Sequence, residues 1–341
     1  MGVANLLPFV STASSEVHIS RFRGQRVAID ASSWLYRGAV GCASKLAHGH
    51  ETQDYLKYPL AMVQLLQDND VTPFLVFDGA KLPMKARTDM RRSSIRAAQL
   101  DIAKKLMDSG ERASASAAIR RSVSVTPEMG RQLINILQQR GIPYVVAPYE
   151  ADAQIVFLVI NGYCNAAISE DSDLLAYGCP HTVFKLDRDG HGRLVSFDNL
   201  QYAVDAKTGR ALFDGSWKDE WEHWKHHLFR AMCILAGCDY LAGIPGVGIK
   251  TAYAALRTHR EVAGAVGELL SSHEGIASQL GAIASQCDGT LFDQYMVCFE
   301  AAQQVFEQQL VWDPSSRTVI PLRPRKSPEI RGPRAYLLRE N

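Results

Sequence analysis

Short apolar runs that end in acids recur along this chain. Arg26–Asp30 (RVAID) and Pro73–Asp78 (PFLVFD) each read as a buried strand closed by an acid. Tyr144–Ala147 and Ala166–Ile168 are two further runs; Glu150 and Asp152 follow the first, Asp171 and Asp173 the second. The apolar stretch Ala153–Ile160 between them is long enough for a crossover helix. Tyr144–Gly178 therefore predicts a βαβ unit, with its acids past the carboxyl ends of parallel strands, where open α/β sheets bind ligands.

The remaining pattern is mostly helical. Ser32–Tyr36 opens a helix after the first strand. Thr126-Pro127-Glu128 is a helix start with Thr as N-cap and Pro at the first helical position, and that helix runs to Gly141. His181–Phe197 predicts an antiparallel hairpin around Asp187-Arg188-Asp189-Gly190, a turn without the other ligands of a calcium loop. Trp217–Ala236 predicts a helix. Its Glu222, His223, His226 and His227 lack an HExxH motif and paired Cys, so they read as a polar helix face rather than a zinc site. Gly237–Asp239 and Ile244–Gly248 form a Gly-rich connection to a second helix at 249–258, where exposed backbone N–H groups suit a phosphate. The chain to Gln309 reads as helix, Val311–Leu322 as strand-like, and LRPRKSPEIRGPR as an extended tail.

An acid after a strand is commonly a helix cap or turn residue, and Asp30 alone reads that way. Caps need not be acids at every strand end, however. One shared site accounts for Asp30, Asp78, Glu150, Asp152, Asp171 and Asp173 together. Unit charges about 4 Å apart repel by roughly 4 kcal/mol at an effective dielectric near 20. Cations, protons or divergent side chains must relieve that repulsion. Hard oxygen ligands favour Mg²⁺ or Mn²⁺.

Charge changes the picture locally rather than globally. The 341 residues are 47% hydrophobic and carry a formal net charge of +1. Yet Lys81–Arg121 holds eleven Lys or Arg against four acids, in a helical composition that begins just after Asp78. A solvated face is the ordinary reading of such a run; beside an acidic metal site it suits a polyanion whose phosphate must reach the metals. Seven Cys without CxxC pairing read as buried thiols in a reducing compartment. Neither a signal peptide nor a membrane-length apolar run is present, so a soluble intracellular protein is expected.

These motifs resemble the structure-specific 5′ nucleases, the family of flap endonuclease and exonuclease 1. The resemblance covers nearly the whole chain: the MG start with its LL pair, VAID, WLYRGA, FLVFDGAKLP, APYEADAQ, ISEDSDLLAYG, CILAGCDY with PGVG, and the closing LVWDP and IPL. It is nearest to the nuclease domain of the exonuclease 1 branch. It implies an α/β fold with a central, mostly parallel sheet flanked by helices, a helical arch and a helix–two-turns–helix element, in a PIN-like 5′ nuclease arrangement. It also implies a single nuclease domain over 1–341. Within it lie an N-terminal region at 1–100, a basic arch at 81–125, an internal region at 138–230, the helix–two-turns–helix at 225–260 and a C-terminal extension at 311–341.

The family's carboxylates, which hold two Mg²⁺ ions (with Mn²⁺ as a substitute), fall on Asp30, Asp78, Glu150, Asp152, Asp171, Asp173 and Asp239. Lys85 and Arg92 fall where basic residues reach the scissile phosphate, with Arg96 a further candidate. Gly2 lies near the family's site. Tyr36 stands where relatives carry a His that wedges near the cleaved strand, and Ser32 replaces a Tyr. Gly246 and Gly248 belong to the helix–two-turns–helix, whose K⁺ touches the unbroken duplex strand; Gly243 replaces a Ser there.

The implied activity is 5′→3′ double-strand DNA exonuclease with 5′-flap endonuclease activity in nuclear DNA repair. In the family one metal activates water and the other stabilises the leaving oxygen. Recessed, nicked or flapped duplexes are the implied substrates, and repair-protein partners are expected through a C-terminal region absent from this chain. The rival readings are a flap endonuclease with little exonuclease activity and a non-catalytic DNA-end scaffold.

Overall fold

The computed structural model describes residues 2–213, 220–272 and 289–324. Part of the long segment at 208–224 and most of the Pro/Arg tail lie outside the described residues.

Among the described residues, nine strands are present. They are β1 (Ser14–His18), β2 (Arg26–Asp30), β3 (Thr72–Phe77), β4 (Tyr144–Val146), β5 (Ala166–Ile168), β6 (His181–Phe184), β7 (His191–Ser196), β8 (Leu310–Asp313) and β9 (Thr318–Pro321). The first seven form one sheet in the order β1-β7-β6-β5-β2-β3-β4, and β8 pairs with β9 alone. The pairs β6–β5, β5–β2, β2–β3 and β3–β4 are parallel; β6–β7 and β7–β1 are antiparallel.

Before the centre of the chain come α1 (Leu6–Phe9), α2 (Ala31–Gly41), α3 (Ala43–Ala47) and α4 (Lys57–Asp68). Then come α5 (Ala86–Asp108), α6 (Arg112–Ser122), α7 (Pro127–Gln139), α8 (Ala151–Ile160) and α9 (Asp173–Ala176). The C-terminal half adds α10 (Glu220–His223), α11 (Phe229–Ala236), α12 (Ile249–His259) and α13 (Val262–Ser272). It ends with α14 (Leu291–Gln308) before the β8–β9 hairpin.

The parallel strands are apolar on both faces because both faces are covered. Ala28, Val76 and Ala167 point into one core with α8, α11 and α14. Their neighbours Val27, Ile29, Leu75, Ala166 and Ile168 point into a second core with α2, α4 and α7. Helix α8 lies deepest: eight of its ten residues are buried, which accounts for its apolar character all round. Helix α7 begins as its sequence dictates, with the Thr126 side chain accepting from the Met129 N–H.

Two expected elements come out differently. The predicted helix over 217–236 is described from Glu220, and a π-turn at Trp224–Leu228 interrupts it. The strand-like closing segment is a hairpin. It is fixed to α8 because Gln154 donates to the Trp312 carbonyl at 2.8 Å and accepts from the Trp312 N–H at 2.7 Å. β1, which completes the sheet edge, has no counterpart in the sequence reading.

Candidate active site

The carboxyl edge of the parallel sheet collects acids that end or follow β2, β3, β4 and β5. Asp30 is the last residue of β2 and also the N-cap of α2, accepting from the Ser33 N–H at 3.1 Å. The cap reading and the cluster reading are therefore both true of it. Asp78 follows β3; its two oxygens accept from the Ala151 N–H at 2.9 Å and the Ser32 hydroxyl at 2.6 Å. Glu150 and Asp152 flank the first residue of α8. Asp171 and Asp173 follow β5, with the Asp173 N–H donating to Asp171 Oδ1 at 3.0 Å. Ser169 joins two strand ends: its hydroxyl donates to Asp30 Oδ2 at 3.3 Å and accepts from the Asp171 N–H at 3.0 Å. Asp239 arrives from the turn after α11.

All seven acids share one electrostatic field. Burial, reinforced by Asp78, pushes Asp30 up to about 7. Burial and then Asp171 raise both Asp152 and Asp173, and burial raises Asp171. Glu150 is raised by burial even though Lys85 opposes it. Such a set holds ionised carboxylates together only at a cost, unless cations join them.

Two cations come from the base of α5. The Lys85 ammonium pairs with Glu150 Oε1 and, at 2.9 Å, with Asp239 Oδ2. Arg92 reaches Asp239 Oδ1 at 2.7 Å, and the Thr88 hydroxyl donates to the Asp239 carbonyl at 2.8 Å. Burial alone would lower the Lys85 ammonium; Glu150 and Asp239 outweigh it and hold the group above its ordinary value. Arg96, one turn beyond Arg92, is half-buried and makes no ion pair among the described residues.

The chain start also enters the site. Gly2 has φ +79°, and a Cβ there would sit 2.2 Å from Asp171 Oδ1 and 2.5 Å from Ser172 Oγ. The Val3 N–H donates to Asp173 Oδ1 at 3.1 Å. Only a glycine fits between the backbone and these acids.

The other sequence candidates lie outside this hydrogen-bonded core. Tyr36, on α2, is 39% exposed, an unusual position for a large aromatic. Gly246 has φ +81°, and Gly248 caps α12 with open space beside its Cα. Gly243 packs against the preceding helix end, where a Cβ would meet the Ala236 carbonyl at 2.7 Å. That contact explains a glycine here without reference to an ion. In the β6–β7 hairpin, Asp187 Oδ1 accepts from the N–H groups of Asp189 and His191, as a turn residue does.

The donor set fits divalent cations: hard oxygens, buried, with ionisation opposed by like charge. Among the described residues, no three His, Cys, Asp or Glu side chains converge in ready ligand geometry. The cause is visible in the hydrogen bonds. Lys85 and Arg92 hold oxygens of Glu150 and Asp239, while N–H and hydroxyl donors hold oxygens of Asp30, Asp78, Asp171 and Asp173. Sequence reasoning noted Ser32 only as the replacement of a Tyr and missed Ser33, Ser169 and Tyr240; together these supply many of the donors. Tyr240 adjoins Asp239, a proximity that marked it; the serines gave no signal beyond lying near acids.

Two family models match the chain: the XPG N-terminal domain over residues 1–99 and the XPG I-region over residues 141–239. The chain is 37% identical over 324 residues to Exonuclease 1 of Danio rerio, covering 95% of this chain. It is 33% identical over 322 residues to the DNA damage-inducible protein DIN7 of Saccharomyces cerevisiae, covering 94% of this chain and 69% of that protein. It spans only 37% of the length of the Danio rerio protein and 41% of the Xenopus laevis Exonuclease 1.

Among solved structures, the catalytic core of Rad2 in complex with DNA substrate matches with a TM-score of 0.59 at 17% identity, over 89% of this chain and 86% of that one. Flap endonuclease-1 from Methanococcus jannaschii matches with a TM-score of 0.50 at 20% identity, over 86% and 81%. These matches correct the expectation of a PIN-like fold. The architecture is the Rad2 and flap-endonuclease nuclease fold, not a PIN-domain fold, and the match extends over most of the chain rather than over the sheet alone. The chain belongs to the XPG family of structure-specific 5′ nucleases, the family of Exonuclease 1, Rad2 and flap endonuclease.

Proposed function

We propose that this chain is the nuclease region of a Mg²⁺-dependent 5′→3′ double-strand DNA exonuclease with 5′-flap endonuclease activity, acting in nuclear DNA repair. One observation carries the reading: seven acids share a sheet edge whose counter-cations, Lys85 and Arg92, stand at the foot of a basic helix pair. Such a site can hold divalent ions and admit a phosphate together.

Asp30, Asp78, Glu150, Asp152, Asp171, Asp173 and Asp239 would hold the metals. Bound Mg²⁺ would supply Lewis acidity and charge neutralisation at the scissile phosphodiester. Lys85 and Arg92 exchange their carboxylate partners for phosphate oxygens and stabilise the charge that develops there. Arg96 extends this cationic line along α5. Tyr36 braces the unpaired terminal bases by stacking. Gly2 keeps the floor of the site thin enough for the acids to meet. Gly246 and Gly248 present backbone N–H groups to the unbroken strand, with K⁺ as their companion ion.

We read 1–341 as a single nuclease unit: 1–100 and 138–230 carry the acids, 81–125 is the arch, 225–260 the helix–two-turns–helix and 311–341 an extension. Recessed, nicked and flapped duplexes are the substrates. Repair proteins are the further partners in this reading.

A time course on 5′-labelled blunt, recessed and flapped duplexes, with Mg²⁺ or EDTA, tests the reading. Mononucleotide-scale products from the recessed duplex, dependent on Mg²⁺, are expected. Cleavage confined to the flap junction would make the protein a flap endonuclease, and binding without Mg²⁺-dependent cleavage would make it a scaffold.

A further inference from the structure

Behind Glu150 lies a polar chain that the proposed chemistry does not use. The Tyr240 hydroxyl donates to Glu150 Oε2. The Tyr240 and Tyr177 hydroxyls are 2.7 Å apart, and the Tyr177 hydroxyl lies 2.5 Å from Gln309 Oε1. Tyr177 is fully buried, and Tyr240, Gln309 and Glu150 are nearly so. Phe306 of α14 meets both phenol rings edge-on, with centroids at 4.7 Å and 4.9 Å, so packing fixes the rings independently of their hydroxyls.

Proton counting gives the chain a direction. Three links need three protons, and two phenols supply two. Tyr240 gives its proton to Glu150, so Tyr177 must give its own to Tyr240. Nothing then remains for Gln309 unless the amide donates. Gln309 Nε2 is buried without a partner, and turning the amide brings it to Tyr177. All donors then point one way, from Gln309 through Tyr177 and Tyr240 to Glu150.

We infer that Gln309, Tyr177 and Tyr240 form a one-way positioning relay that orients the Glu150 carboxylate for divalent metal and ties it to the root of the β8–β9 hairpin. The relay rests on the metal-dependent reading of the site. Its members act through Glu150. Polar partners behind a ligand commonly set metal affinity by tenfold or more.

The test is Ca²⁺ binding by calorimetry, alongside the Mg²⁺ dependence of cleavage. Tyr240→Phe is expected to weaken Ca²⁺ binding about tenfold and Tyr177→Phe about threefold, both recovering turnover at saturating Mg²⁺. Gln309→Glu, which only accepts once ionised, should weaken binding as Tyr177→Phe does at a pH where its carboxyl is ionised; an unchanged affinity there would overturn the direction of the relay. A double-mutant cycle of Tyr177→Phe and Tyr240→Phe in EDTA should give non-additive shifts in melting temperature. Additive shifts with unaltered Ca²⁺ affinity would reduce the hydroxyls to ordinary core partners and overturn the relay. Wild-type protein that takes up no Ca²⁺ would instead defeat the metal reading, and the cycle in EDTA would still judge the relay.

Discussion

Helices α8 and α5 both bring charged groups to the same site, and they are held there by opposite means. Helix α8 is wrapped by the core, so Glu150 and Asp152 stay in place whatever their charge. Helix α5 runs for 23 residues and buries only Ala103, while Met90, Ile95, Ile102 and Met107 are exposed. Its base is registered on the site by Lys85, Thr88 and Arg92, all of which reach Glu150 or Asp239. A rigid acidic floor thus faces a basic element whose base is held by attraction to it. Anything that changes the charge of the floor changes the hold on the basic element.

The strongest test removes part of the floor. Asp173→Ala is expected to lower Mg²⁺-dependent cleavage by ~10³-fold while a DNA-binding isotherm stays near wild type; normal cleavage would remove Asp173 from the catalytic set. On the other side, Lys85→Ala should cut single-turnover cleavage by ~10²-fold with little change in affinity. An effect on affinity alone would make Lys85 only a binding residue.

A third test leaves charge alone and lifts the floor. Gly2→Val places atoms on Asp171 and Ser172 in a left-handed backbone conformation, and about 2 kcal/mol of stability should be lost in thermal melts. A fourth isolates the repulsion. Asp30 is raised to about 7 from 3.8, so the folded state binds the proton more tightly than the unfolded chain. In EDTA the melting temperature should therefore fall as pH rises through that window, and Mg²⁺ should flatten the slope. For the same reason Asp171→Asn should raise stability in EDTA by about 1 kcal/mol; a lower melting temperature would make Asp171 a structural cap. The smallest effect is expected from Tyr36→Ala, a roughly fivefold loss of cleavage on recessed ends with flap binding unchanged, because one stacked aromatic contributes about 1 kcal/mol.

What was legible in the sequence was what is local. RVAID and PFLVFD read as strands closed by acids because their apolar runs are continuous and their boundaries sharp. β4, α8 and β5 followed from the same pattern. The partners of the acids were not legible. Ser32 reads as an Asp78 donor only once β2 and β3 lie side by side. Tyr177 and Gln309 meet across 132 positions of sequence, with nothing local to mark either. β1 was missed because SSEVH is short and half-exposed, and only pairing with β7 makes it a strand. Six of the acids could be grouped because each ends or closely follows a strand-like run, and the family resemblance added Asp239; their wiring could not be read.

The strand order carries a consequence for biosynthesis. β2 and β3 are adjacent in space and emerge early, so they can pair as soon as both leave the ribosome. The other side of β2 belongs to β5, and residues 31–165 must be made before that strand appears. Until then the nascent sheet shows a bare, apolar edge of the kind that recruits foreign strands. The same order postpones the gathering of like charge: Asp30 and Asp78 meet early, whereas Asp171, Asp173 and Asp239 join only after translation has passed the centre of the chain. Translational pausing between β3 and β5 would prolong the bare-edge stage.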